Sequence, residues 1–186
     1  MIYSYSLQLV GIIVGLALLG SHLYALLQTG ACQKWLKDFP RSRAAGTVLV
    51  FMAGLWSFVL INSMDLGEFS TLRTYMLFFV VAGTFLAWRY VEEFLAVRAL
   101  GMLALLAADP LLEAAFLRPE ETRLLLVVLA YAWIVLGLFW VGMPWVLRDQ
   151  IAWLVGNKGR FKAAGIGGVV YGALVLVCAA LFWKSV

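Results

Sequence analysis

The side chains that could carry acid–base chemistry are concentrated in one part of the chain, between Arg89 and Glu113. This part holds two candidate acids, Asp109 and Glu113, and a charge cluster formed by Arg89, Glu92, Glu93 and Arg98. Most of the sequence around it is apolar. A carboxylate in an apolar environment is costly to ionise and commonly serves as a proton relay or an ion site. This stretch is therefore the first place to look for a functional site.

Pro110 allows two interpretations of Asp109. If one helix runs from Arg98 past the proline, Asp109 lies about 16 Å deeper than Arg98, near the middle of a membrane and on one face with Glu113. If instead Asp109 is the N-cap and Pro110 the first residue of a new helix over 110–117, the carboxylate lies at the membrane surface. The second interpretation is favoured, because Asp-Pro is a good pair of residues for starting a helix.

The charge cluster predicts a hairpin end. Arg89 precedes Glu92 and Glu93 by three and four residues, the spacings at which side chains pair along a helix. We expect this turn to join two helices at a membrane surface. Arg98 is expected to anchor the helix that follows.

The elements that position these residues are predicted from composition to be membrane helices. The 186 residues are 65% hydrophobic and 13% charged, with a mean hydropathy of +0.97. Soluble domains carry about 25% charged residues. Apolar windows long enough to cross a bilayer recur along the chain, and they lack the alternation typical of barrel strands. The sequence predicts an all-α integral membrane protein.

Six spans in one domain of residues 1–186 are predicted. Their approximate bounds are 7–27, 47–64, 74–88, 94–108, 124–147 and 163–183, with 110–117 as a possible helix at the outer surface. The first span is expected to be retained rather than cleaved as a signal peptide, because the residues before it contain no Lys or Arg.

The basic residues predict the orientation of these spans, since Lys and Arg accumulate in cytoplasmic loops. One side collects ten of them and the other side four. The ten are Lys34, Lys37, Arg41, Arg43, Arg89, Arg98, Arg148, Lys158, Arg160 and Lys162, and the four are Arg73, Arg118, Arg123 and Lys184. We expect a multi-pass protein of the plasma or inner membrane with both termini on the non-cytoplasmic side.

A short pattern recurs where three spans leave the basic side. It reads Arg43-Ala-Ala-Gly46, Arg98-Ala-Leu-Gly101 and Lys162-Ala-Ala-Gly165. One interpretation is a triplicated helical hairpin. The other is that any helix entering a membrane from that side begins with a basic residue followed by small ones.

Small residues four apart mark two spans as surfaces for close helix packing. Span one carries Gly11 and Gly15, and span six carries Gly168 and Gly172, extended one step back by Ala164. These surfaces could bind a partner or a second copy of the chain. They could equally pack against other helices of the same bundle.

Several functions are excluded or disfavoured by residue types. His22 is the only histidine, which excludes a haem held between two histidines and any metal site built from several histidines. No cofactor is predicted. The basic residues lie beside the spans rather than in a stripe with interleaved aromatics, so no nucleic-acid partner is expected. Cys32 and Cys178 are too far apart along the predicted bundle to form a disulfide within one chain.

The expected function is therefore that of a non-enzymatic structural or accessory subunit, which binds other membrane subunits or itself within the bilayer. The alternative is a small proton-coupled transporter or channel that uses Asp109 and Glu113. An intramembrane enzyme acting on lipid would have only Glu92, Glu93, Asp109 and Arg98 for its chemistry, and it is the least favoured reading.

Overall fold

The computed structural model describes residues 5–183, and this part of the chain is built from helices without any strand. Its α-helices are α1 (Leu7–Leu27), α2 (Thr29–Asp38), α3 (Arg43–Ser63), α4 (Arg73–Tyr90), α5 (Leu95–Ala115), α6 (Leu124–Gly142), α7 (Trp145–Val155) and α8 (Lys158–Leu181). Short 3-10 segments occupy Phe39–Arg41, Gly67–Leu72 and Glu121–Arg123. All of these helices except α2 and α7 belong to segments that are long and apolar enough to cross a membrane, which makes six candidate spans.

Polar caps begin three of the long helices. The Ser6 hydroxyl accepts the Leu9 N–H at 3.2 Å before α1, and the Ser42 hydroxyl accepts the Ala45 N–H at 3.2 Å before α3. The Asn157 side chain begins α8 in the same way, by accepting two backbone N–H groups. Each cap satisfies amides that have no partner within the helix, which fixes where the helix begins.

Arginines close the ends of three helices, α3, α5 and α6. Each lies at the beginning of one helix and donates a hydrogen bond of 2.8 Å to a carbonyl at the end of a neighbouring helix: Arg73 to Met64 O, Arg98 to Val141 O and Arg123 to Ala115 O. A cation is favourable at the negative end of a helix dipole. The same three bonds bring the beginning of one helix to the end of another, so α3/α4 and α5/α6 are antiparallel pairs.

Helix α5 lies at the centre of the bundle. It packs between α3 and α6, while α4 packs on the outer side of α3. Helices α1 and α8 form a second close pair. This pair meets α5 and α6 in a shared apolar core near the chain termini, to which Val10, Leu111, Leu126 and Val175 contribute.

The ten basic residues that were predicted to share one side gather at one end of the bundle, which we call the basic end. It comprises α2, the segment Phe39–Arg41, residues 91–94, α7 and the first turn of α8. The opposite end carries the beginning of α1, the end of α8 and the connections 64–72 and 116–123. Lys184, the fourth basic residue assigned to that side, lies outside the described residues.

The structure differs from the predicted boundaries in several places, and α8, for example, begins at Lys158 instead of at 163. Two connections expected to be loops contain helices α2 and α7, and α6 ends at Gly142 instead of continuing to 147. Pro144 explains the end of α6 at Gly142, because it has no N–H to continue α6 and it stands immediately before α7.

Helix α5 also departs from the favoured interpretation of Asp109. It continues through Pro110 to Ala115 as one helix, and no new helix begins at the proline. The interpretation of Asp109 as an N-cap, with a separate helix over 110–117, therefore does not hold in the structure. Proline inside an apolar helix is tolerated where surrounding helices support the backbone, and Leu111 beside it is buried.

Candidate functional site: the acid face of helix α5

The unbroken α5 places Asp109 and Glu113 inside a candidate span. Asp109 lies about 21 Å along the axis from Leu95 and about 9 Å from Ala115, at a rise of about 1.5 Å per residue. It therefore occupies the third of the helix nearest the opposite end. The interpretation in which one helix runs from Arg98 past Pro110 therefore agrees with the structure, and Asp109 lies about 6 Å beyond the centre of that helix.

Helical periodicity collects five side chains on one side of α5, which we call the acid face. They are Arg98, Met102, Leu105, Asp109 and Glu113, three or four residues apart. Gly137 of α6 packs against Leu105, so α6 borders this face. The first and last members are about 22 Å apart along the axis, which keeps Arg98 away from both carboxylates.

Asp109 is exposed on the surface of the bundle. Within residues 5–183, its carboxylate has neither a hydrogen bond nor an ion pair. Glu113 lies one turn further along and is half-buried. The acid face thus presents the exposed Asp109 carboxylate one helical turn from a second acid, Glu113.

The largest described cavity lies on the other side of α5. It has a volume of about 1020 Å³ and opens between α1 and α3, with Ala107, Pro110 and Leu111 of α5 as its floor. At about 100° per residue, Asp109 is about 200° around the helix from Ala107. The carboxylate therefore points away from this cavity.

The walls of the cavity are largely apolar, with Trp56 and Trp133 among them. The hydroxyls of Ser21 and Ser63 also line it, and each donates to a carbonyl of its own helix at 3.1 Å. Helix α5 therefore lies between the Asp109 carboxylate and the cavity.

The predicted charge cluster does not form one unit. Helix α4 ends at Tyr90, and Phe94 adopts a left-handed conformation with φ of 55° before α5 begins. The helical turn needed to pair Arg89 with Glu92 or Glu93 is therefore absent. Glu92 instead lies 3.8 Å from Arg43 at the beginning of α3.

The remaining members of the cluster have separate environments. Arg89 is exposed and lies over the Tyr90 ring at 5.7 Å, and Glu93 is exposed. Arg98 is half-buried and is held by the α6 carbonyl described above. These contacts give Arg98 a structural position at the end of α6 rather than a place in an acid–base site.

The predicted packing glycines lie between α1 and α8. A Cβ atom added to Gly11 would meet Ala179 at 2.9 Å, and one added to Gly15 would meet the Gly172 carbonyl oxygen at 3.1 Å. The ring of His22 packs against Gly168 in the same way. Within the described chain, all four glycines therefore lie in the contact between α1 and α8.

Ala164 does not belong to this contact. It is exposed, whereas its neighbour Gly165 is buried against the Leu26 side chain. The contact follows a row of alternating three- and four-residue steps through Gly165, Gly168 and Gly172, because a helix has 3.6 residues per turn. A strict step of four, which pointed to Ala164, drifts off that row.

The histidine makes a hydrogen-bond contact within its own helix, and the two cysteines are not bonded to each other. His22 Nδ1 lies 2.8 Å from the Leu18 carbonyl oxygen one turn earlier. Cys32 and Cys178 are free thiols, and partial burial raises the pKa of the Cys32 thiol. In the part of the chain that the structure describes, no three His, Cys, Asp or Glu side chains are grouped so that they could hold a metal ion.

One feature missed from the sequence is a second cavity, at the basic end. It has a volume of about 530 Å³ and lies between helices α2, α3, α5 and α7. Its existence depends on α2 and α7, which were expected to be loops. The signal was present in the apolar spacing of Leu147, Ile151 and Val155, four residues apart, which is typical of one helix face.

Comparison with protein-family models, with curated proteins and with solved structures finds no match for this chain.

Proposed function

We propose that this chain is a multi-pass protein of the cell membrane, without catalytic activity of its own, that acts as a subunit of a larger membrane assembly. The exposed part of the acid face of α5, around Asp109, is the surface that meets the partner. The observation that supports this most strongly is the exposed Asp109 carboxylate, which has no partner among residues 5–183 although it lies within a candidate span.

The energetic argument rests on the surroundings of that carboxylate. An Asp at the centre of a membrane helix costs roughly 2.5–3.5 kcal/mol, and somewhat less nearer the surface. A partner helix with a basic or hydrogen-bond-donating side chain offsets this cost when it covers the acid face. Asp109 then contributes specificity, because a helix without such a donor leaves the acid unsatisfied.

The partner is a different chain rather than a second copy docked through the same face. In a two-fold symmetric dimer the same surface meets itself. Asp109 and Glu113 of one copy would then lie against those of the other, and like charges in an apolar interface repel strongly. A heteromeric contact avoids this repulsion.

The test is purification of the full chain in mild detergent together with whatever stays bound, followed by measurement of the mass of the complex. We expect the wild type to retain a partner and Asp109→Leu to lose it, with Asp109→Asn between the two because its amide still accepts a hydrogen bond. Glu68→Leu is the matched control, since Glu68 is an exposed acid outside the α-helices at the opposite end. A wild-type chain that purifies as a lone stable monomer overturns the proposal.

A second candidate function is a small proton-coupled carrier or channel. It is favoured by the continuity of α5 through Pro110, which keeps Asp109 and Glu113 together inside one span. This function requires flux through liposomes that contain the chain alone, and loss of that flux in Asp109→Asn without loss of the fold. Absence of flux for protons, cations and small anions in the wild type eliminates the carrier and leaves the subunit proposal standing.

A further inference from the structure

The cavity at the basic end has walls made almost entirely of hydrocarbon. Its volume is about 530 Å³, and its apolar lining includes Trp35, Phe39, Ala44, Leu100, Leu147 and Ile151. Trp35 is 60% exposed, and its ring packs against Phe39 with centroids 5.1 Å apart. A Trp of this kind, apolar on one side and open on the other, is typical of the headgroup level of a bilayer.

Basic residues stand next to wall residues of the same cavity in the sequence. Lys34 precedes the wall residue Trp35, Arg43 precedes Ala44, and Arg148 follows Leu147. Lys37, in the last turn of α2, and Arg41, in the following 3-10 segment, lie two residues to either side of Phe39. An apolar cavity with a cationic rim matches an amphiphile that has an anionic head and a hydrocarbon tail.

These cations differ in how far they are already neutralised. Arg43 lies 3.8 Å from Glu92, and Arg148 lies 2.8 Å from Asp149. Lys34, Lys37 and Arg41 are exposed, and no carboxylate of the described residues comes within 4.0 Å of their charged atoms. The uncompensated charge therefore lies on the α2 side of the cavity.

We propose that this cavity binds one acyl chain of an anionic phospholipid from the adjoining leaflet, with the phosphate held by Lys34, Lys37 and Arg41. Lys and Arg near a membrane surface attract anionic headgroups, and the cavity adds a specific place for the chain. A free phosphate would find the charges but would leave the apolar walls uncovered. The site is separate from the acid face of α5, so it stands whether or not the subunit proposal does.

The test uses the purified full chain and native mass spectrometry. Phosphatidylglycerol and phosphatidylcholine with identical acyl chains are offered at equal concentration, and the retained lipid is counted. We expect a preference for phosphatidylglycerol of about tenfold or more in the wild type, because each basic residue near a headgroup favours the anion. In the triple variant Lys34→Gln, Lys37→Gln, Arg41→Gln we expect the preference to fall below about twofold.

A matched control separates the site from the general charge of this end. Lys158→Gln with Lys162→Gln removes two exposed cations of α8, which contributes no wall to the cavity. The proposal predicts that this variant keeps the wild-type preference, and that Ala44→Trp, which fills the cavity, loses retained lipid. Equal retention of the two lipids by the wild type overturns the proposal, and so does an equal loss of preference in the control. Displacement of the lipid by inorganic phosphate, or unchanged lipid retention in Ala44→Trp, also overturns it.

Discussion

At the residue scale, the absence of a side chain decides how closely α1 and α8 approach. A Cβ atom at Gly172 would lie 2.8 Å from the Leu19 backbone nitrogen and 3.1 Å from the Gly15 carbonyl oxygen. Both neighbours are backbone atoms, which have no rotamer to change. Gly167 on the same helix has nothing within 4 Å of an added Cβ, so the two positions form a natural comparison.

We therefore expect Gly172→Ala to lower the free energy of unfolding by about 1–3 kcal/mol, because the added methyl forces the two helices apart. Gly167→Ala should be neutral or stabilising by up to about 1 kcal/mol, since Ala is the better helix former and finds open space there. Reversible unfolding in mixed micelles of detergent and SDS measures both. Equal effects of the two substitutions would contradict the close α1–α8 contact.

The sequence predicted this contact only in part. It identified Gly11, Gly15, Gly168 and Gly172 from their spacing, and their positions between α1 and α8 follow that pattern. It extended the row to Ala164, which is exposed, instead of to Gly165. The sequence shows the spacing of small side chains, but packing against neighbouring helices decides which side of the helix forms the contact.

At the element scale, the arginines that were used to predict orientation also hold helix ends together. Arg98 illustrates both roles, because it stands at the basic end and donates to the Val141 carbonyl oxygen at 2.8 Å. This carbonyl belongs to the last turn of α6 and lacks a partner within its own helix. Arg89 carries the same charge at the same end, but it is exposed and contacts only the neighbouring Tyr90 ring in the described structure.

Arg98→Leu should lower the free energy of unfolding by about 1.5–3 kcal/mol, the usual contribution of a hydrogen bond to a charged group. Arg89→Leu should change it by no more than about 0.5 kcal/mol, as is usual for a surface substitution. Both variants remove one positive charge from the basic end, so any difference reports the helix-end contact alone. Chemical unfolding in the same micelles provides the measurement. A decrease in the free energy of unfolding as large in Arg89→Leu as in Arg98→Leu would contradict the stabilising role of Arg98 at the end of α6.

The long apolar helices were predicted, and the short amphipathic helices were missed. Six helices long and apolar enough to span a membrane agree with the composition, since a stretch of this length has few other stable forms. Helices α2 and α7 are short, and their stability comes from packing against each other and against neighbouring elements of the basic end. Pro110 was misjudged for a related reason, because its local preference for a helix start is overridden by burial of Leu111 and Ala114.

At the scale of the whole molecule, the three recurring glycines show how far the chain departs from threefold symmetry. Gly46, Gly101 and Gly165 are all buried at the basic end. Gly46 packs against the beginning of α5, whereas Gly101 packs against the end of α6 and Gly165 against the end of α1. Gly101 and Gly165 therefore each contact the end of another helix, whereas Gly46 contacts the beginning of one. This arrangement favours the simpler explanation, in which each helix entering from the basic end needs small residues for close packing.

The arrangement of helix ends makes the predicted orientation testable without any change of charge. Ser70, at the opposite end, and Ala152, in α7 at the basic end, are both exposed and uncharged. Because basic residues are retained on the cytoplasmic side, we expect Ser70→Cys to react with a membrane-impermeant maleimide in intact cells. Ala152→Cys should react only after the membrane is permeabilised. Both variants are made in a background of Cys32→Ser and Cys178→Ala, and the reverse labelling pattern would show that the termini lie in the cytoplasm.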